Sequence, residues 1–334
     1  MKKVQALKDK NNTVFVTRKL PDVIEKRMEQ IFDVEFSNSE QPLPKKTLIE
    51  KCKNANIIVP TLGDIIDRTF LEEAGKNLKL IANYGAGFDH IDVRAAQKSN
   101  ITVSNTPDVL TQDTADFTLS LILGITRRLP EGTDIMAKGM WKGWAPTALL
   151  GTRIFGKNLG IIGMGRIGQA VASRAKNFGL NIHYHNRKRL HRKIEQELEA
   201  AFWKNLDKML PEVDILTIHV PHTPATFHLL NARRLKLLKK TAFLVNTARG
   251  EIIDETALTK MLRLNQLGGA GLDVYEHGKN INPRLQDLKN VLLLPHMGSA
   301  TLEGRIEMGE KVIFNIKAFI DGHCAPDQIL PDML

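Results

Sequence analysis

The chain is short of cysteine, of aromatic residues and of long apolar runs. Cys52 and Cys324 are its only cysteines in 334 residues, and two isolated thiols suit a reducing compartment better than a disulfide framework or a zinc site. No stretch approaches the roughly 20 uncharged apolar residues that a membrane span requires. The start, Met1 to Asn12, bears lysines, but no apolar stretch follows them and the pattern of a secretory signal is missing. A cytoplasmic protein with no membrane partner is expected. Acid is also scarce relative to base: 47 Lys and Arg face 37 Asp and Glu, a net charge of +10. The surplus is spread along the chain, and its one dense block, Arg187 to Lys193, has no interleaved aromatics. Nucleic acid is therefore not an expected partner. His183 and His185 alternate onto one side of a strand, but no third ligand lies near them and no metal is expected.

What is present is an alternation of short apolar runs and helix-period segments, the pattern of βα repetition in mostly parallel sheets. The first set of strands is read at Val14 to Thr17, Asn56 to Pro60, Leu80 to Asn83 and Ile101 to Asn105. The second is read at Leu159 to Ile162, Asn181 to Tyr184, Asp214 to Val220, Ala242 to Asn246, Gly269 to Asp273 and Val291 to Leu294. With 43% hydrophobic residues and this length, two α/β domains are expected. A helix capped by Thr111 and closed by Arg127 and Arg128 before Pro130 lies between the sets. A second amphipathic stretch, Leu302 to Phe319, follows the last strand, and is expected to return to the first domain. The intervening segment Gly132 to Lys157 has little periodicity and holds Trp141 and Trp144. Those rings serve either as a local staple beneath a loop or as an oligomer contact.

Asn158 to Ile162 reads as a buried strand, and Gly163-Met164-Gly165-Arg166-Ile167-Gly168 follows it, opening a helix that ends at Gly179. In that setting Gly163 serves the tight turn, Gly165 the approach of a pyrophosphate and Gly168 the packing of helix on strand. The helix start supplies N–H donors and the positive end of a dipole. A dinucleotide is expected. An acid at the end of the next strand would accept the ribose hydroxyls, but the chain there reads His185-Asn186-Arg187-Lys188. Amide and cation favour a 2′-phosphate, so NADP(H) is expected over NAD(H). The block's other reading is a solvated basic face.

Two further strand ends carry the residues that keto-acid chemistry needs. Reduction requires a cation for the carboxylate and a proton donor for the carbonyl oxygen. Asn246-Thr247-Ala248-Arg249-Gly250 offers the first, and Pro295-His296-Met297-Gly298 the second. Their plain alternatives are a surface arginine closing a turn and an ordinary loop histidine.

These motifs, with Asn83-Tyr-Gly-Ala-Gly-Phe-Asp89, Asn105-Thr-Pro107, His219-Val-Pro221 and Gly271-Leu-Asp-Val274, make the chain resemble the D-isomer-specific 2-hydroxyacid dehydrogenases, glyoxylate and hydroxypyruvate reductase branch. The resemblance implies two Rossmann-like domains: a flavodoxin-like substrate domain, residues 1–106 and 298–334, and an NAD(P)-binding domain, residues 107–297. It implies an active site in the cleft and a homodimer built through the cofactor domains. Arg249 would hold the substrate and His296 would act as general acid and base. Ala86 and Gly87 would offer N–H groups to the carboxylate. Thr111, Val220, Pro221, Thr247, Ala248, Asp273, His296 and Gly298 would line the cofactor site, with Asp273 accepting from the nicotinamide carboxamide.

In one place the chain departs from that family. The glutamate that bonds the catalytic histidine lies five residues after the aspartate of Leu-Asp-Val, which is Gly278 here, followed by Lys279. A nearby carboxylate raises the pKa of a histidine and keeps it a proton donor near neutrality. Its loss leaves three outcomes: Glu276 substitutes for it, the enzyme runs slowly or at acid pH, or the protein has become a dinucleotide-binding sensor.

Overall fold

A computed structural model describes residues 12–331; the lysine-bearing start weighed as a signal lies, up to residue 11, outside them. The described residues form two units, one running to Leu110 and resuming at Ala300, the other being Thr111–Ser299.

The first unit holds β1 (Thr13–Val16), β2 (Asp33–Phe36), β3 (Ile57–Val59), β4 (Leu80–Ala82) and β5 (Thr102–Ser104), all parallel in the order β2-β1-β3-β4-β5. This is the flavodoxin-like order. Alternation along β1 sends Val14 and Val16 into one apolar layer and Phe15 into the other. Both faces are buried, as a parallel sheet requires. The helix Leu302–Ile320, whose first turn is capped by Thr301 Oγ1 accepting from Gly304 N at 3.0 Å, closes one of these layers with Met308, Val312 and Ile316. It meets the helix Asp22–Ile31 at Gly309, where a Cβ would stand 2.5 Å from Ile24.

The second unit holds β6 (Asn158–Ile162), β7 (Asn181–His185), β8 (Ala200–Phe202), β9 (Ile215–Ile218), β10 (Phe243–Asn246), β11 (Gly269–Leu272) and β12 (Val291–Leu293). Their order is β12-β11-β10-β9-β6-β7-β8, again all parallel. The strand order reverses between β6 and β9, the switch point at which such sheets bind ligands. The helix Thr111–Thr126 packs on this unit's sheet through Ala115, Leu119, Leu121 and Ile122.

The two-domain α/β expectation agrees with this architecture, and three local readings need correction. β2 and β8 were not expected. Both are edge strands with little full burial, so they lack the apolar runs that mark the central strands. The bridging helix ends at Thr126, before Pro130 as expected, but the weakly periodic segment that follows overlaps an unexpected helix, Leu129–Ala137, with Pro130 in its first turn, where its missing N–H costs nothing; Arg128, at φ +56°, turns the chain between the two helices. The local staple fails as well, because Trp141 and Trp144 are 61% and 85% exposed. Among the described residues no helix is long and apolar enough to cross a membrane.

Candidate active site

The glycine turn after β6 is built by exclusion. Gly163 has φ +96°, and a Cβ on it would lie 2.5 Å from the carbonyl oxygen of His219 and 2.6 Å from Val220. A Cβ at Gly168 would lie 2.1 Å from the carbonyl oxygen of Gly163. Gly165 is different: nothing lies within 4 Å of the space its side chain would fill. It precedes the helix Arg166–Asn177 and brings no side chain to cap it, so the helix start faces open space with its N–H groups and positive dipole end. A pyrophosphate fits that arrangement. Met164 is buried, and Ile167 packs against the second unit's core. His219, whose carbonyl abuts the turn, shares a 3.0 Å hydrogen bond between its Nε2 and Thr217 Oγ1. Desolvation pushes its pKa down to about 3, so the ring is neutral. Val220 and Pro221 continue from it.

β7 ends at His185, whose carbonyl accepts from Gly163 N at 3.0 Å. The basic block beyond divides by partner. The Arg189 guanidinium is bidentate to Glu195, a buried carboxylate that also receives the Tyr184 hydroxyl. Asn186 Nδ2 donates to the Lys188 carbonyl at 3.0 Å and shapes the turn. Arg187 and Lys188 have no ion-pair partner among the described residues.

Arg249 follows β10 on a turn that Asn246 ties together. The buried Asn246 side chain donates to the Arg249 carbonyl at 2.8 Å and accepts from Ala248 N at 3.0 Å. Gly250 presses on the next loop so closely that a Cβ would stand 1.9 Å from the Tyr275 carbonyl carbon. Thr247 Oγ1 shares a 3.0 Å hydrogen bond with Thr118 in the helix that Thr111 begins. Arg249 itself is extended and half-buried, with one guanidinium N–H donating to the Ala248 carbonyl at 2.8 Å.

His296 follows β12 in the left-handed region, φ +55°, and is exposed. Asp273, buried just past β11, organises this turn: its carboxylate accepts from Met297 N at 2.8 Å and Gly298 N at 2.7 Å. Burial raises the Asp273 pKa, and these N–H groups with that of His296 pull it back down. The space beside Gly298 is filled by Asp273, Phe117 and Thr114. Tyr275 OH donates to the Leu294 carbonyl at 2.8 Å, so the loop that backs Arg249 also backs the His296 turn.

Glu276, the expected substitute for the missing carboxylate, has partners of its own. Its carboxylate lies 2.7 Å from His228 Nε2 and accepts from Glu255 N at 3.1 Å, which commits it to the start of the helix Glu255–Arg263. Gly278 sits in an exposed turn at φ +56° with open space where a side chain would be.

Ala86 and Gly87 lie in the first unit, on the loop after β4. Asn83 Nδ2 donates to the carbonyls of Gly85 and Gly87, each at 2.9 Å, and Asn105 Nδ2 to that of Ala86 at 2.7 Å. Among the described residues the N–H groups of Ala86 and Gly87 have no acceptor, so this turn can receive an anion. Sequence reasoning missed Asn246, Thr118 and Tyr275. Only Asn246 carried a signal, since an asparagine at a strand end commonly ties its own turn.

The chain matches known proteins along most of its length. Residues 119–298 match the model of the D-isomer specific 2-hydroxyacid dehydrogenase, NAD binding domain. The chain is 44% identical over 317 residues to a glyoxylate reductase of Pyrococcus horikoshii, covering 94% of each. Its fold is similar to a D-isomer specific 2-hydroxyacid dehydrogenase from Polaromonas, with a TM-score of 0.90 and 37% identity over 96% of this chain and 99% of that one. It is also similar to an NADPH-dependent glyoxylate/hydroxypyruvate reductase from Sinorhizobium meliloti, solved with NADP and malonate, with a TM-score of 0.85 and 31% identity over 97% of this chain and 98% of that one.

Proposed function

Because the chain belongs to the D-isomer specific 2-hydroxyacid dehydrogenase family, we propose that it reduces a small 2-keto acid, glyoxylate or hydroxypyruvate, with NADPH. Membership makes it an oxidoreductase that uses a nicotinamide dinucleotide. The observation that carries the finer reading is that three strand ends of one sheet present a phosphate turn at Gly163 to Gly168, a tied arginine at Arg249 and a histidine turn at His296. Unpaired Arg187 and Lys188 beyond β7, where an acid would repel a 2′-phosphate, support NADPH over NADH. The relatives named for glyoxylate and hydroxypyruvate support a small substrate.

Bound NADPH supplies the hydride. Arg249 holds the keto acid through its planar fork of donors, polarising the carbonyl and fixing the carboxylate. His296 donates a proton to the carbonyl oxygen in reduction and takes one back in oxidation. Ala86 and Gly87 offer N–H groups suited to a carboxylate. Thr111, Val220, Pro221, Thr247, Ala248 and Gly298 belong to the cofactor site in this reading, and Asp273 serves it by holding the turn that carries His296. A homodimer through the tryptophan arm completes the proposal.

The test is to mix the protein with NADPH and glyoxylate or hydroxypyruvate and follow the absorbance of reduced cofactor. Loss of absorbance supports the reductase. Tight NADPH binding without turnover across a panel of keto acids supports the second reading, a dinucleotide sensor, which the missing carboxylate at Gly278 favours.

A further inference from the structure

β7 and β8 run in register, Tyr184 opposite Phe202, so the segments that leave them emerge side by side. His185 Nδ1 lies 2.8 Å from the Trp203 carbonyl. A carbonyl can only accept, so Nδ1 carries the proton of that bond. Trp203 is pinned a second time by its indole N–H, which donates to His183 Nδ1 at 3.0 Å. One residue beyond His185 and Trp203 the two segments continue as Asn186, followed by Arg187, and as Lys204. Behind this seam is a cavity of about 610 Å³ whose lining includes His185, Phe202, Trp203, Lys204, Lys208 and Arg234.

The charges around it are not balanced. Asp207 is engaged by both Arg233 and Arg234, at 2.6 and 2.7 Å, and Glu195 by Arg189. Lys239 is paired with Asp214. Lys204 and Lys208 line the cavity and, among the described residues, have no carboxylate. A cavity with an aromatic wall, lined by Lys204 and Lys208, is suited to a phosphate monoester carried on a nucleoside. It is also joined to the glycine turn, through the bond from Gly163 N to the His185 carbonyl.

We propose that Lys204 is a specificity-determining residue for the cofactor, delivering from the neighbouring strand a second cation to the 2′-phosphate that Arg187 and Lys188 meet from β7. This rests on the NADPH reading above. It places the discrimination on two chain segments whose spacing is fixed by the bond between His185 and Trp203, so that one block of basic residues does not account for it alone.

The experiment is calorimetric titration of the full chain with NADPH, NADH and adenosine 2′,5′-bisphosphate, for the wild type, Lys204→Gln and Arg187→Gln. Lys204→Gln is expected to weaken NADPH and the bisphosphate about tenfold while leaving NADH within about twofold, the loss of one charge-assisted hydrogen bond. Lys204 is exposed and, among the described residues, has no ion-pair partner, so the variant is expected to fold as the wild type does. A wild type that prefers NADPH, with Arg187→Gln sensitive and Lys204→Gln not, overturns the inference and leaves the NADPH reading standing. A wild type that binds NADH as tightly as NADPH overturns both. An equal loss for all three ligands in Lys204→Gln assigns the residue to structure and also overturns the inference.

Discussion

At the scale of single residues, the chemistry turns on what stands near His296. Position 278 has no carboxylate, and Glu276, two residues before it, is spoken for by His228 and the Glu255 amide. A carboxylate beside a histidine keeps it a proton donor as pH rises. Gly278→Glu is therefore expected to raise the reduction rate about tenfold at pH 7.5 and to flatten its decline toward alkaline pH. The open space at 278 admits the side chain, while φ +56° makes a non-glycine residue cost about 1 kcal/mol of stability. A pH–rate profile of the folded variant that overlays the wild type would show that another group already serves His296. Residue identity at two strand ends singled out Arg249 and His296 as candidates, because few side chains can hold a carboxylate or shuttle a proton near neutrality. Which carboxylate is engaged by which base was not legible, since the pairing of His228 with Glu276 joins positions 48 apart in the chain.

At the scale of elements, three glycines within six residues differ in the room they leave. Gly163 and Gly168 have no room for a methyl group, whereas Gly165 has open space and an ordinary negative φ of −78°. Gly165→Ala is expected to keep the wild-type melting temperature within about 2 °C and to lose at least about tenfold in NADPH affinity, because the methyl group occupies the space where a pyrophosphate would lie. Unchanged affinity would mean that the phosphates lie elsewhere. The strand–turn–helix order was legible because each glycine has a steric task that spacing reveals. β2 and β8 were not. An edge strand pairs on one side only, and neither Asp33–Phe36 nor Ala200–Phe202 has the continuous apolar run of Ile215–Ile218. The helix Leu129–Ala137 was hidden by Pro130, which looks the same in a sequence whether it stops a helix or starts one.

At the scale of the whole molecule, composition excluded more than it identified. Two cysteines and an even spread of charge pointed away from disulfide scaffolds and nucleic-acid binding, while the alternation of strand and helix supplied the α/β architecture. Composition did not reveal how apolar the arm after the helix Leu129–Ala137 is. Met140, Trp141, Trp144, Leu150 and Phe155 are all exposed on a single chain, a cluster of the kind that marks interfaces. Light scattering is expected to give about twice the 37.4 kDa of one chain, falling to one chain's mass when Trp141 and Trp144 are both changed to Ser. A wild type of single-chain mass would refute the proposed dimer. The account as a whole depends on direct hydride delivery to a keto acid by this chain. Its most direct test is a single turnover of glyoxylate with NADPH deuterated at the transferable position of nicotinamide C4, followed by mass spectrometry of the product. One deuterium on carbon in the glycolate formed by the wild type, with no product from Arg249→Gln, is the result expected. Bound cofactor that retains its deuterium and yields no glycolate would contradict the account.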